Sequence, residues 1–178
     1  MGPADSNGTK GKMSEHHQRR AQEIVRRLIY VTVATASSEG QPWNSPVYSA
    51  YDNRANFYWT SSPLAQHSRN IDQNGKAFLA IYDSTVPAGG GEGVYVEAAA
   101  MGLIVPEEIN EAKTNLARRV GKQVGPETER LDAGIQRIYR ATPKRVWMNG
   151  FENDKNGRYV RDVLVEIPIS YLYGLVTW

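Results

Sequence analysis

The chain contains no cysteine among its 178 residues. That excludes disulfides, thiolate nucleophiles and cysteine-ligated metals, and it fits a reducing compartment, so the expected location is cytoplasmic. Histidine is nearly as scarce. Of the three present, His16 and His17 are neighbours close to the N-terminus. Adjacent residues face different sides of a helix, which is a poor basis for a metal site, and none is expected. Long apolar runs are missing too. The most apolar early stretch, LIYVTVA at 28–34, falls far short of the ~20 residues a membrane-spanning helix needs and lies too far in to act as a signal peptide. Neither sign of charge dominates. The net charge is +2 and the basic residues are scattered, apart from Arg19-Arg20, Arg26-Arg27 and Arg118-Arg119, so the basic stripe of a nucleic-acid binder is absent. There is no Gly-x-Ser-x-Gly elbow for a serine nucleophile. The glycine-rich PAGGGEG at 87–93 lacks the Lys-Ser/Thr pair of a phosphate loop and leads into a strand rather than a helix, so it reads as a flexible connection.

What is present is ordinary in amount and informative in order. A hydrophobic fraction of 40% and a charged fraction of 22% are those of a globular chain, and one this long can bury ~70% of its unfolded surface without staples. Residues 1–13 form a small, polar, Gly-containing leader expected to be loosely ordered; residues 14–178 read as one domain. Ser14-Glu15 can cap a helix running to about Arg27, with Ala21, Ile24, Val25 and Leu28 as its apolar stripe. β-Branched and aromatic runs at 28–35, 42–52, 56–60, 76–84, 94–105, 144–151 and 158–167 read as strands. Pro42 and Pro46 argue for an edge or irregular strand in the second of these, and the first three are expected to form an antiparallel meander. Helices are expected at 63–74, from Pro106 with Ile109, Ala112, Leu116 and Val120 at helical spacing, over 127–139, and briefly near PISYLYG. This order lacks the βα alternation of a parallel sheet. It predicts a mainly β fold with flanking helices, a six- or seven-stranded antiparallel split β-barrel.

One stretch concentrates polar chemistry: FYWTSSPLAQHSRN at 57–70. A strand runs into Ser61-Ser62-Pro63, and Ser62 before Pro63 is a helix start on propensity alone. A helix N-terminus also offers unpaired N–H groups and a positive dipole end, both suited to a phosphate, and Thr60, Ser61, Gln66 and His67 lie just before it or in its first turns. The two readings, a capped helix and an anion seat, are not exclusive. His67 falls between Leu64 and Ile71 at spacings of three and four, which on its own reads as a hydrogen-bonded core histidine. Arg69 stands on another face, where Asp72 is a candidate partner. Trp147 reads as packing, although an aromatic there would suit a planar ligand.

Taken together, PWNSPVYSAYD, FYWTSS, QHSRNIDQNGKAFLAIYD and GEGVYVEAAA, in that order and spacing, resemble the pyridoxamine 5'-phosphate oxidase-like family of FMN-binding split barrels. The resemblance runs from about Ile24 to Ile104, and more loosely through 144–167. It implies a homodimer with FMN at the interface and a small-molecule substrate. Thr60, Ser61, Gln66 and His67 would hold the phosphate. Asn44, Ser45, Pro46 and Val47 would run along the flavin ring, mostly through backbone groups, with Trp59 ending the neighbouring strand. Trp147 and Arg161 would be contributed by the partner subunit. This chain also departs from the family's oxidase pattern. Gln66-His67 replaces an arginine-lysine pair on the phosphate, Asn44 replaces an arginine, Gly93 replaces a glutamine, and Arg158-Tyr159-Val160 stands where an Arg-x-His motif binds substrate. The resemblance therefore implies an FMN-dependent oxidoreductase of unassigned substrate rather than a pyridoxamine phosphate oxidase. The alternatives are a non-catalytic flavin-binding or storage protein, and a split barrel that takes a deazaflavin or haem. The sequence shows no general acid or base; Tyr48 and Tyr95 are the nearest guesses.

Overall fold

The computed structural model describes residues 6–121 and 134–176. In chain order the elements are α1 (Ser6–Arg27), β1 (Tyr30–Ala36), β2 (Pro42–Tyr48), β3 (Ala50–Tyr51), β4 (Phe57–Ser61), α2 (Gln66–Asn74), β5 (Lys76–Tyr82), β6 (Gly93–Gly102), α3 (Pro106–Arg119), β7 (Arg137–Asn153) and β8 (Tyr159–Ile167), followed by a 3-10 turn at Ile169–Leu172. The sheet is antiparallel throughout, in the order β2-β1-β5-β6-β7-β4-β3, with β8 also on β7. Its two end strands, β2 and β3, are separated in the chain by Ser49 alone. The sheet must therefore curl until its ends meet, which makes it a barrel. The split arises on β7. That strand pairs with β6 along most of its length, while its other edge serves β4 over Arg137–Ala141 and then β8 from Val146 onward.

Among the described residues eight strands stand where six or seven are expected, because the strand expected over 42–52 is interrupted at Ser49 into β2 and β3. β2 is an end strand, one of the two placements its prolines allow. The expected meander holds for β1 and β2 but not for the third run, since β4 meets β3 for only two residues and takes β7 as its main partner. The helix expected over 127–139 is corrected at its end: Arg137–Tyr139 belong to β7, and residues 127–133 lie outside the described residues. Pro143 hides the early start of β7. It sits where β7 changes partner on one edge and beside a bulge at Glu97/Ala98 on the other, positions where a missing N–H costs little. The backbone of α1 is helical from Ser6, upstream of the expected cap at Ser14; a helix already packed at one end propagates cheaply.

Strand alternation divides the apolar residues. Val31, Val33, Val47, Trp59, Leu79, Ile81, Val96, Tyr139 and Met148 fill the barrel with Ala21, Ile24 and Val25 of α1, the stripe expected from sequence. A second cluster, Ala50, Tyr58, Leu103, Ala112, Leu116 and Ile138, lies under α3. Pro106 opens α3 at its first position, with Glu107 and Glu108 in the first turn and Arg118 and Arg119 in the last, charges that complement the helix dipole. Arg119 ties this helix to α1: Nη1 donates to the Tyr51 hydroxyl at 2.9 Å, and Nη2 to the carbonyls of Val25 at 2.7 Å and Leu28 at 2.9 Å. Among the described residues no helix is long and apolar enough to cross a membrane.

Candidate functional site

The strand-to-helix passage after β4 differs from its sequence reading in one consequential respect. Ser62 and Pro63 do not open the helix. They form a turn in which Ser62 accepts the N–H of Leu64 on its hydroxyl at 3.2 Å and that of Ala65 on its carbonyl at 3.0 Å. Helix α2 begins four residues after Ser62, with Ala65 in the capping position, and among the described residues no side-chain cap bond closes its start. Alanine has nothing to cap with. The N–H groups at the start of α2 are thus left without a side-chain partner, at the positive end of the helix dipole. The other end is closed, as Asn74-Gly75 leads one to expect: Gly75 adopts φ 66° and donates its N–H to the Ile71 carbonyl at 2.8 Å.

His67 in the first turn is turned inward. It is only 6% exposed, its Nδ1 lies 3.1 Å from Ser45 Oγ, and its Nε2 is buried with no hydrogen-bond partner. Ser45 Oγ accepts from Trp43 Nε1 at 3.0 Å, which leaves its own hydrogen for the imidazole. Burial pushes the His67 pKa down, so the ring is neutral at neutral pH. The imidazole therefore matches the core-histidine reading, and the part of His67 placed to meet an anion is its backbone N–H. Around it the interior stays polar and under-bonded. Trp59, fully buried, stacks on Tyr139 at 5.8 Å, and its indole N–H has no partner. Ser68 Oγ and the Tyr139 hydroxyl are neighbours, both buried, and neither closes a well-formed hydrogen bond. Burial raises the Tyr139 pKa, so that it too stays neutral.

Of the residues expected at the site, Ser61, Gln66 and His67 gather around this turn. Gln66 is engaged with Asn70, donating to its Oδ1 at 2.8 Å, and Arg69 reaches Gln66 Oε1 at 3.4 Å. Asp72 does not take Arg69 as its partner; its ion pair is with Arg137. Thr60 and Ser61 alternate to opposite faces of β4, Thr60 opposite Ile138 on the α3 side and Ser61 opposite Arg137. On β2, Ser45 and Val47 face inward, Ser45 to His67 and Val47 into the core, while Asn44 and Pro46 are exposed on the outer face, opposite Ala34 and Thr32. Trp147 is on that outer face too, several strands away, stacked on Phe78 at 6.1 Å with the Arg145 guanidinium 4.7 Å over its ring. Arg161 is exposed on β8 and paired with Glu152 at 2.7 Å. Within one chain neither reaches the turn before α2.

Sequence reasoning missed Arg137. It belongs to the stretch assigned to a helix, whereas the structure sets it opposite Ser61. Its guanidinium is 3.6 Å from Asp72 of α2, and its stem crosses Gly102, where an added Cβ would come within 2.6 Å of Arg137 Cδ. The signal available was the run of β-formers Ile138-Tyr139 just after Gly134. A cleft of about 250 Å³ opens beside the same turn, lined by Pro63, Leu103, Ile109 and Ile138 together with Lys113, Gln136 and Arg137. The donor set at the turn (free helix N–H groups, serine hydroxyls and a cation) is of the kind that holds a phosphate.

Comparison with known proteins agrees with the fold. The structure is similar to HutZ, the haem storage protein of Vibrio cholerae, with a TM-score of 0.60 at 16% identity over 72% of this chain and 91% of that one. It is similar to Campylobacter jejuni ChuZ, with a TM-score of 0.66 at 14% identity over 94% of this chain and 73% of that one. A haem-binding protein of Mycobacterium smegmatis gives 0.61 at 20% identity over 85% of this chain and 60% of that one. At these identities the likeness is one of fold. No curated protein matches the chain. A family profile described as Pyridoxamine 5'-phosphate oxidase matches residues 18–150, most of the chain, and the protein belongs to that family.

Proposed function

We propose that this chain binds FMN, with the phosphate at the start of α2, and that it serves as an FMN-dependent oxidoreductase whose substrate is a small molecule other than pyridoxamine phosphate. The observation that carries the reading is the uncapped first turn of α2 beside the Ser61 and Ser62 hydroxyls. Membership of the family supports it. The backbone N–H groups of Gln66, His67 and Ser68 would meet the phosphate oxygens, with Ser61 beside them and Thr60 at the neighbouring strand end. Strand β2 would line the ring through Asn44, Ser45, Pro46 and Val47, with Trp59 supporting the floor from inside. Bound FMN would supply two-electron chemistry, and the chain would supply its position and the exclusion of water.

A homodimer fits the same reading. The outer face of β1, β5, β6 and β7 carries small residues, Thr32, Ala34 and Ala80, beside the Phe78–Trp147 stack. A second copy docked on this face would bring its own Trp147 and Arg161 toward the flavin of the first. The cytoplasm is the compartment in which such a cysteine-free protein is expected to work.

Haem is the second reading, favoured by the likeness to the two haem-associated proteins. The obstacle is the axial ligand. His67 is enclosed, with one nitrogen on Ser45 and the other buried, and the other two histidines are on α1. Titration of the purified protein with FMN, riboflavin, a deazaflavin and haemin separates these readings. Tighter binding of FMN than of riboflavin supports the proposal. Equal binding of the two removes the phosphate seat, and a haem Soret band that survives His67→Ala points to a different ligand and a different axial residue.

A further inference from the structure

The family's arginine-lysine pair is replaced here by Gln66-His67, and His67 is neutral and turned inward, so a phosphate at this turn needs its positive charge from elsewhere. We infer that Arg137 supplies it, and this rests on the FMN reading above. Arg137 and Ser61 are direct partners across β4 and β7. Residues directly opposite on antiparallel strands project to the same face, with Cα atoms about 4.5–5.5 Å apart. The stem is guided by Gly102, whose missing side chain leaves the space that Arg137 Cδ and Nη1 occupy. An arginine held on a strand in this way loses less conformational freedom on binding than one on an exposed helix surface, and that distinguishes it from Arg69.

Among the described arginines that hold a carboxylate, Arg137 holds its own most loosely. Arg140, Arg145 and Arg161 hold their carboxylates at 2.7, 2.6 and 2.7 Å, and Arg119 is committed to carbonyls. Arg137 meets Asp72 at 3.6 Å, with both side chains substantially exposed. That is the longest ion pair between described residues, and it is beyond hydrogen-bonding range. A phosphate at the α2 start would offer a planar guanidinium two acceptor oxygens in place of this loose contact. Asp72 would then act as a restraint that competes for the same cation.

The test is a set of fluorescence titrations with FMN and riboflavin on the full chain, the ratio of the two dissociation constants being the readout, with a thermal unfolding curve for each variant. The wild type is expected to prefer FMN. Arg137→Gln is expected to lose about tenfold of that preference, as for one charge-assisted bond to phosphate, with riboflavin affinity unchanged. Arg137→Lys keeps part of the preference. Asp72→Asn, by releasing Arg137, raises it about two- to threefold. Gly102→Ala lowers it by displacing the stem. An Arg137→Gln protein that keeps the full FMN preference overturns the assignment to Arg137 while leaving the FMN reading in place. A wild type that binds FMN and riboflavin equally overturns both.

Discussion

Arg119 closes α3, and Arg137 opens β7 on the far side of the segment that joins them. At the α1–α3 junction the guanidinium donates to two carbonyls at the end of α1 and to the Tyr51 hydroxyl, and stacks 4.7 Å from the Tyr51 ring. The junction is tightened further by Tyr48, whose hydroxyl donates to the Leu116 carbonyl at 2.5 Å. At the barrel rim the same chemical group touches one carboxylate loosely and passes over a glycine, next to a helix start that no side chain caps. In the first region both terminal nitrogens of the guanidinium are bonded, and the group serves the fold. The second has donors left over, and unsatisfied donors gathered at one point are what an anion requires. The contrast teaches where to look in a chain whose motifs are weak: at polar groups the fold has left unfinished, rather than at residue types alone.

The comparison can be broken most forcefully at its structural end. Arg119→Ala should leave the Val25 and Leu28 carbonyls and the Tyr51 hydroxyl without that partner and cost about 3 kcal/mol of stability in urea unfolding. A loss under about 1 kcal/mol would show that the junction does not depend on it. His67→Ala comes next. Losing a buried ring and its bond to Ser45 should cost about 2 kcal/mol while sparing the preference for FMN over riboflavin, because the backbone N–H remains. A mutant that stays stable but loses the preference would return the imidazole to the phosphate.

Smaller effects sharpen the contrast. Arg137→Gln should lower the FMN preference about tenfold yet move unfolding by less than about 0.5 kcal/mol, as expected of an exposed ion pair; a large loss of stability would make it a second Arg119. The smallest effect concerns pH. The folded-state pKa of His67 lies below its usual value because burial disfavours the charged ring. The unfolded chain therefore takes up the proton more readily, and stability must fall as pH drops below about 6.5. His67→Gln should flatten that decline between pH 7.5 and 5.5, and an unchanged slope would assign it to other groups.

Much of the architecture was legible because it rests on local pattern. The prolines of PWNSP marked β2 as an edge or irregular strand, the stripe Ala21, Ile24, Val25 and Leu28 packed α1, and Asn74-Gly75 ended α2. What was not legible depended on partners distant in sequence. The first half of β7 was concealed because Pro143 and the polar Arg137, Arg140 and Thr142 read as breaks until β4 and β6 are seen on either side. Ser62-Pro63 carries every local mark of a helix start, yet the turn accepts the N–H groups of Leu64 and Ala65 and defers α2 to Gln66. The site was legible as a place but not as a set of contacts. The sequence located the turn. It could not tell which way His67 faces, since that depends on Ser45 and Tyr139, nor that Arg137 crosses to Ser61.

The central claim is that the first turn of α2 seats the FMN phosphate, and the most direct measurement is amide chemical-shift mapping of the labelled protein with FMN and then with riboflavin. The account predicts that the Gln66, His67 and Ser68 amides and the Arg137 side-chain N–H move with FMN and hardly at all with riboflavin. FMN-specific shifts elsewhere, with those groups unmoved, would contradict it.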